Sequence, residues 1–264
     1  QKLAAMNALT RAGCIAFSQA KQPIIDTRLL LRAMQYAATF GYPVRLRPQD
    51  QFLAGDGVAH DGEVAARLGL SGIPTSAETV AITTALLLAR ETGVRLHLSR
   101  LSSAAGIALV QQARQSGLPV SCDVSIYHLH LSETDIGYFD SNSRFDPPLR
   151  SPSDREALRQ AVKLGVAAIC SDHTPVDADG KQLPFGEALP GATALELLLP
   201  LTLQWATECD LPLVTALARI TCDPAAILGI AGGSLRVGSP ADICLFDPAE
   251  IWQVSADTLR SQGK

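Results

Sequence analysis

The sequence predicts an α/β fold on parallel strands, of the (β/α)8 TIM-type barrel kind, with a small β subdomain after it. Three observations carry this. Short apolar runs alternate with capped amphipathic helices along most of the chain, the order that builds a parallel sheet. The runs are continuously apolar, as in strands buried on both faces. No Gly-x-Gly-x-x-Gly follows any of them, so a dinucleotide-binding doubly wound sheet has little support. Eight strands with their helices need about 250 residues. Five strands are visible in a chain of 264 residues that opens in mid-helix, from Gln1 to Met6. The first strands are therefore expected to be missing, and the visible ones to be about strands 4–8.

The first strand is the run Gly13 to Ser18, and Asp26 caps a helix from Thr27 to Phe40 that Gly41 stops. Tyr42 to Arg47 is the second strand. The connection from Pro48 to Pro74 holds five glycines, and loops of that length are usually functional. Thr75 and Glu78 have capping-box spacing at the head of a helix that runs to Thr92. Arg95 to Leu101 is the third strand, Ser103 to Ser116 its helix, and Pro119 to Ser125 the fourth strand. A second long connection spans Tyr127 to Arg150. Ser151 caps the next helix, with Pro152 in the first turn where its missing N–H costs nothing. The fifth strand runs through Ala167 and ends in Ser171-Asp172-His173-Thr174-Pro175. Helices follow around Ala192 to Thr207 and Leu213 to Ile220, with a short one after Asp223. From Gly232 to Asp247 the texture becomes turn, strand, turn, strand. Residues 1–231 thus read as a partial barrel and residues 232–264 as part of a small β-sandwich subdomain.

A composition of 47% hydrophobic and 18% charged residues supports a full core. A net charge of -4 with a pI near 5.7 argues against a nucleic-acid or anionic-membrane surface. No apolar run approaches the roughly 20 residues of a membrane span. Six scattered cysteines without a Cys-x-x-Cys pair read as buried free thiols in a reducing, cytoplasmic setting.

Strand ends carry the chemistry in barrels of this kind. Asp172-His173 is the one acid–imidazole pair at a strand end. His128-Leu129-His130 follows the fourth strand and reads as a surface turn, His97 as a satisfied core histidine, and His60 as a solvated loop residue. The second strand ends in Arg45-Leu46-Arg47 and the third in Ser99-Arg100. Two permanent positive charges at the barrel mouth disfavour a cation and suit an anion or Asp172.

Several segments together resemble the dihydroorotases of the amidohydrolase superfamily, across essentially the whole chain. They are Gly62 to Pro74, Asp146-Pro147-Pro148-Leu149-Arg150, Ser171-Asp172-His173-Thr174-Pro175, Pro184-Phe185-Gly186 and the closing run Gly233 to Asp247. The resemblance implies a metal-dependent barrel with a His-x-His on the first strand. Further ligands are an Asp after the fourth strand, one His each on the fifth and sixth, and an Asp on the eighth that shuttles a proton. Carried over residue by residue, these positions fall on Ala20, Arg47, Arg100 and Asp172. The substrate-contacting Asn and His fall on Asp146 and Val176. Only Asp172 keeps the family identity, as a relic of the acid/base.

What the resemblance implies is then a pseudoenzyme with no functional catalytic residue and no metal. Such family members associate with aspartate transcarbamoylase in bacteria, so the expected partner is its catalytic chain, in a hetero-oligomer of pyrimidine biosynthesis. No nucleic acid or membrane is expected. The alternative is a cyclic-amide hydrolase with zinc held by first-strand histidines and Asp172. A third reading is a barrel in which Arg47 and Arg100 hold a small anion. Without a metal, Asp172 needs a positive neighbour, so Arg47 or Arg100 is expected within salt-bridge reach of it.

Overall fold

A computed structural model describes residues 3–20, 23–261 and 263 of the chain. Helix α1 (Met6–Arg11) leads into β1 (Phe17–Ser18), the short remainder of the strand expected from Gly13. That strand is shorter than its apolar run because it pairs on one side only among the described residues, and Ile15 just before it is exposed. The helix expected from Gln1 starts at Met6; Gln1 and Lys2 lie outside the described residues.

α2 (Thr27–Thr39) is opened by Asp26, whose side chain accepts from the backbone N–H of Arg28 and Leu29, satisfying donors that the helix itself leaves free. Its buried residues Leu30, Ala33, Met34 and Ala37 recur at the spacing of one helical face. β2 (Val44–Leu46) follows. The connection to residue 74 is not structureless. It holds α3 (Gln51–Ala54), β3 (Ala59–His60), α4 (Glu63–Leu68) and β4 (Gly72–Ile73), and β3 and β4 pair as a separate parallel two-stranded sheet.

The capping box expected at α5 (Thr75–Thr92) does not form. Pro74 is the N-cap, with no side-chain cap bond. Glu78 is buried and is spent elsewhere. It accepts from the N–H and hydroxyl of Ser102 at 2.8 and 2.5 Å and from those of Ser103 at 3.1 and 2.6 Å. Four donors on one buried carboxylate outweigh a local cap worth about 1 kcal/mol. Gly106 makes room for it, since a Cβ there would stand 2.3 Å from Glu78 Oε1. Arg150, also buried, donates to Ser102 Oγ at 3.1 Å and to the Ile73 carbonyl at 2.6 Å, and meets His60 Nδ1 at 3.0 Å. His60 is therefore a partly buried partner of Arg150, not a solvated loop residue. The two long connections are tied to the barrel wall through this network.

β5 (Leu96–Leu98), α6 (Ala104–Gln115), β6 (Val120–Ser125), α7 (Pro152–Lys163) and β7 (Ala168–Cys170) complete the alternation. Ser151 caps α7 as expected, accepting from the Asp154 N–H. β1, β2, β5, β6 and β7 form one five-stranded parallel sheet, each strand beside the one before it in that order. The helices pack on one side of it. Met34, Ile82, Leu96, Leu98, Val110, Val124, Leu158 and Trp205 belong to a single buried cluster. On the opposite face Arg45, His97 and Ser121 lie in register. This is the arc of a barrel: apolar residues face the helix layer, and polar residues face the bore.

Between residues 126 and 143 the second connection carries three 3-10 turns. The histidine pair expected on a surface turn there is internal. His128 is buried and its Nε2 donates to the Pro148 carbonyl at 3.1 Å, while His130 Nε2 meets the Leu201 carbonyl at 3.0 Å. α8 (Ala178–Lys181), α9 (Leu198–Glu208), α10 (Leu213–Ala218) and α11 (Cys222–Leu228) follow β7. Beyond Leu228 no strand forms among the described residues. The strands expected between Gly232 and Asp247 are absent, with Leu235 and Leu245 at 88% and 97% exposure. Paired strands need a third strand or an apolar surface to pack on, and among the described residues this run pairs with no strand. All six cysteines are free, and of them only Cys122 is fully buried, fewer than the apolar runs around them suggested. No helix among the described residues is long and apolar enough to cross a membrane.

Candidate functional site

The C-terminal ends of β1, β2, β5 and β7 open onto one cleft of about 410 Å³, lined by Ser18, Gln19, Ala20, Arg45, Arg47, Ser99, Arg100, Cys170, Ser171, Asp172, His173 and Thr174. Four of the six positions read from the sequence, Ala20, Arg47, Arg100 and Asp172, meet there. Asp146 joins them through Arg47 and lines a smaller neighbouring cavity with Arg100 and Asp172. Val176 does not: it is buried outside both linings.

Arg100 Nη1 donates to Asp172 Oδ1 at 2.7 Å, so the positive neighbour expected for Asp172 is Arg100. The Asp172 side chain is only 7% exposed. Burial pushes its carboxyl above the usual range, although Arg100 and then Arg47 pull the other way. Arg47 instead grips Asp146. Nη1 donates to Oδ2 at 2.6 Å and Nη2 to Oδ1, a two-pronged pair, and Nη2 also reaches Gln49 Oε1. A guanidinium fork matches the two oxygens of a carboxylate.

Behind these pairs sits Asp123, a residue the sequence reading passed over. It accepts from His97 Nε2 at 2.7 Å and from the backbone N–H of Arg100 at 2.7 Å, with Arg45 Nη2 at 3.6 Å. His97 Nδ1 meets Ser121 Oγ at 2.9 Å, so His97 is the satisfied core histidine the sequence suggested. Burial alone would raise the Asp123 carboxyl; the hydrogen bond to His97, with the Arg45 guanidinium behind it, more than offsets that and holds it below the usual range. The available signal was periodicity: Ser121, Asp123 and Ser125 share one face of a strand otherwise apolar.

Asp172 and His173, the acid–imidazole pair at the strand end, turn to different partners. His173 Nδ1 accepts from the backbone N–H of Ala194 at 3.1 Å and of Leu195 at 3.2 Å, which places the ring proton on Nε2. Three of the mouth residues share an uncommon backbone. Ala20, Arg100 and Asp172 have φ of 54°, 59° and 51°, the left-handed region that L side chains seldom enter outside special sites. Asp tolerates it, whereas Ala gains nothing there. Ala20→Gly is therefore expected to stabilise the fold by about 0.5 kcal/mol, the relief of strain less the entropy of a freer unfolded chain. The urea midpoint should rise; an unchanged or lower midpoint would show that no strain resides there.

A divalent metal does not fit these residues. Ala20 offers no donor atom, and the guanidiniums of Arg47 and Arg100 stay protonated with no lone pair to give. Both are held by carboxylates. Among the described residues no group of three or more His, Cys, Asp and Glu side chains converges on a point that could hold a metal ion.

An open arc of parallel strands with helices outside and polar residues at the strand ends defines a barrel-type α/β protein of the kind that places its chemistry at that mouth. A family described as amidohydrolase matches residues 55–261, and one described as dihydro-orotase-like matches residues 1–105. The chain belongs to the amidohydrolase family. It is similar to a dihydroorotase-like protein of Pseudomonas putida, 47% identical over 100% of this chain and 62% of that protein. A dihydroorotase of Geobacter sp. (strain M21) is 36% identical over the same shares. Among solved structures, L-hydantoinase from Arthrobacter aurescens superposes with a TM-score of 0.77 at 24% identity, covering 89% of this chain and 56% of that one. Dihydroorotase from Saccharomyces cerevisiae in complex with 5-fluoroorotic acid gives 0.67 at 15% identity, covering 85% and 63%. The chain thus spans less than two thirds of the length of these relatives, and the likeness to the solved structures is one of fold.

Proposed function

We propose that the chain belongs to a non-catalytic, dihydroorotase-like subunit of pyrimidine biosynthesis. In this reading it supports the assembly and activity of aspartate transcarbamoylase by binding its catalytic chain in a cytoplasmic hetero-oligomer. One observation carries the non-catalytic part. The positions at which the family resemblance implies metal ligands are held by arginines closed onto carboxylates, Arg100 onto Asp172 at 2.7 Å and Arg47 onto Asp146. A carboxylate paired with a guanidinium is held in its ionised form. Asp172 gives Oδ1 to Arg100 where the family resemblance implies a metal ion. The resemblance to dihydroorotase homologues that accompany the transcarbamoylase supports the partner.

The test is co-expression with the transcarbamoylase catalytic chain. Co-elution, with carbamoyl aspartate formation that collapses when this subunit is omitted, is the expected result. A transcarbamoylase fully assembled and active without it overturns the partnership, and turnover of dihydroorotate by the purified subunit overturns the non-catalytic reading.

A further inference from the structure

Four of the twelve residues that line the cleft at the strand ends keep hydrogen-bond donors that the rest of the protein does not take up. Arg45 is 47% exposed, and its one carboxylate neighbour, Asp123, stands 3.6 Å away with the same oxygen already bonded to His97. Ser18 Oγ accepts from the Ala20 N–H at 3.2 Å and Ser171 Oγ from the His173 N–H at 3.4 Å, so each hydroxyl keeps its hydrogen to give. His173 accepts two backbone N–H groups on Nδ1, which leaves an Nε2–H donor with no partner among the described residues. All four side chains line the 410 Å³ cleft. The one carboxylate in that lining, Asp172, has its Oδ1 closed onto Arg100.

We propose that this cleft binds a small organic or inorganic oxyanion, a carboxylate or phosphate group, held by Arg45, Ser18, Ser171 and His173. The argument is one of chemistry and capacity. A guanidinium, two hydroxyls and an imidazole N–H supply donors to one cleft, the groups that oxyanions select, and the Asp172 carboxylate beside them is paired with Arg100. Arg47 and Arg100 add positive charge while staying paired, so the anion need not break either ion pair to enter. This differs from a grip by Arg47, whose fork Asp146 occupies, and by Arg100, which gives Nη1 to Asp172. It is also independent of the transcarbamoylase partnership, because ligand binding is read on the subunit alone.

Titration calorimetry at low salt tests it, with sodium phosphate, disodium succinate and neutral succinamide as probes. Saturable binding of phosphate or succinate, and none of succinamide, is expected. Phosphate alone would assign the site to phosphate groups, and succinate alone to carboxylates. Arg45→Gln should weaken the bound anion by roughly tenfold or more, the loss of one charge-assisted hydrogen bond. Ser171→Ala, which removes only a hydroxyl, should weaken it by a smaller factor. No heat with either anion up to about 10 mM overturns the site, as do two folded variants that bind like the parent protein.

Discussion

Arg100→Met is expected to destabilise the fold by about 3 kcal/mol at pH 7, the scale of leaving one member of a desolvated ion pair alone. Asp172 is 7% exposed and Arg100 21% exposed in their side chains, so water replaces the lost partner at Asp172 only in part. The carboxyl already sits above its usual range because of burial, with Arg100 opposing that shift. Removing Arg100 drives it higher. An acid whose folded-state pKa is raised costs stability once it must ionise in place, and that cost declines as pH falls through the raised value and is gone below the unfolded-state one. The gap between variant and parent should therefore be widest near neutrality and shrink in acid. Asp172→Asn in the Arg100→Met background removes the buried charge and keeps a residue that tolerates a φ of 51°. It should recover more than half of the loss. Urea unfolding of the three proteins at two pH values checks this. A loss below about 1 kcal/mol, as for an exposed pair, would mean that Asp172 is hydrated.

The comparison of sequence and structure turns on which forces are local. Strand order and helix limits were legible because caps and apolar periodicity are written in neighbouring residues. Asp26 and Ser151 cap the helices they were expected to cap, and Arg100 meets Asp172 because two strand ends of a parallel sheet share one rim. What the sequence concealed were long-range partners. Thr75 and Glu78 have the spacing of a capping box, yet Ser102 and Ser103 compete for Glu78 from a different strand end. Asp172 and His173 are adjacent in sequence, but backbone donors at Ala194 and Leu195 draw the imidazole away. Asp123, passed over in the sequence, gathers His97, Arg45 and the Arg100 backbone. The run from Gly232 reads as strands by composition, but strands depend on neighbours that composition does not supply.

A second large effect should appear in acid. His128 is 2% exposed, and burial holds its imidazole down to about 4, against an ordinary value of 6.5, with the Pro148 carbonyl opposing and the Arg150 and Arg100 charges adding to it. The unfolded chain therefore takes up a proton that the folded one refuses. The stability due to the neutral ring is full above about pH 6.5 and is lost as pH falls toward 4. A gap of that size amounts to about 3 kcal/mol. His60 and His130 are also lowered, first by burial, and add to the loss in the same direction. The consequence bears on the cleft. His128 donates to Pro148, two residues from Asp146, which holds Arg47 at the strand ends. Charging the ring should loosen this connection and free Arg47 before the sheet itself unfolds. His128→Gln keeps an N–H donor and cannot charge in this range. Urea midpoints of the two proteins should differ most at neutral pH, in favour of the parent, and converge as pH approaches 4. Parallel midpoints across that window would show that the ring titrates freely and that burial does not hold it neutral.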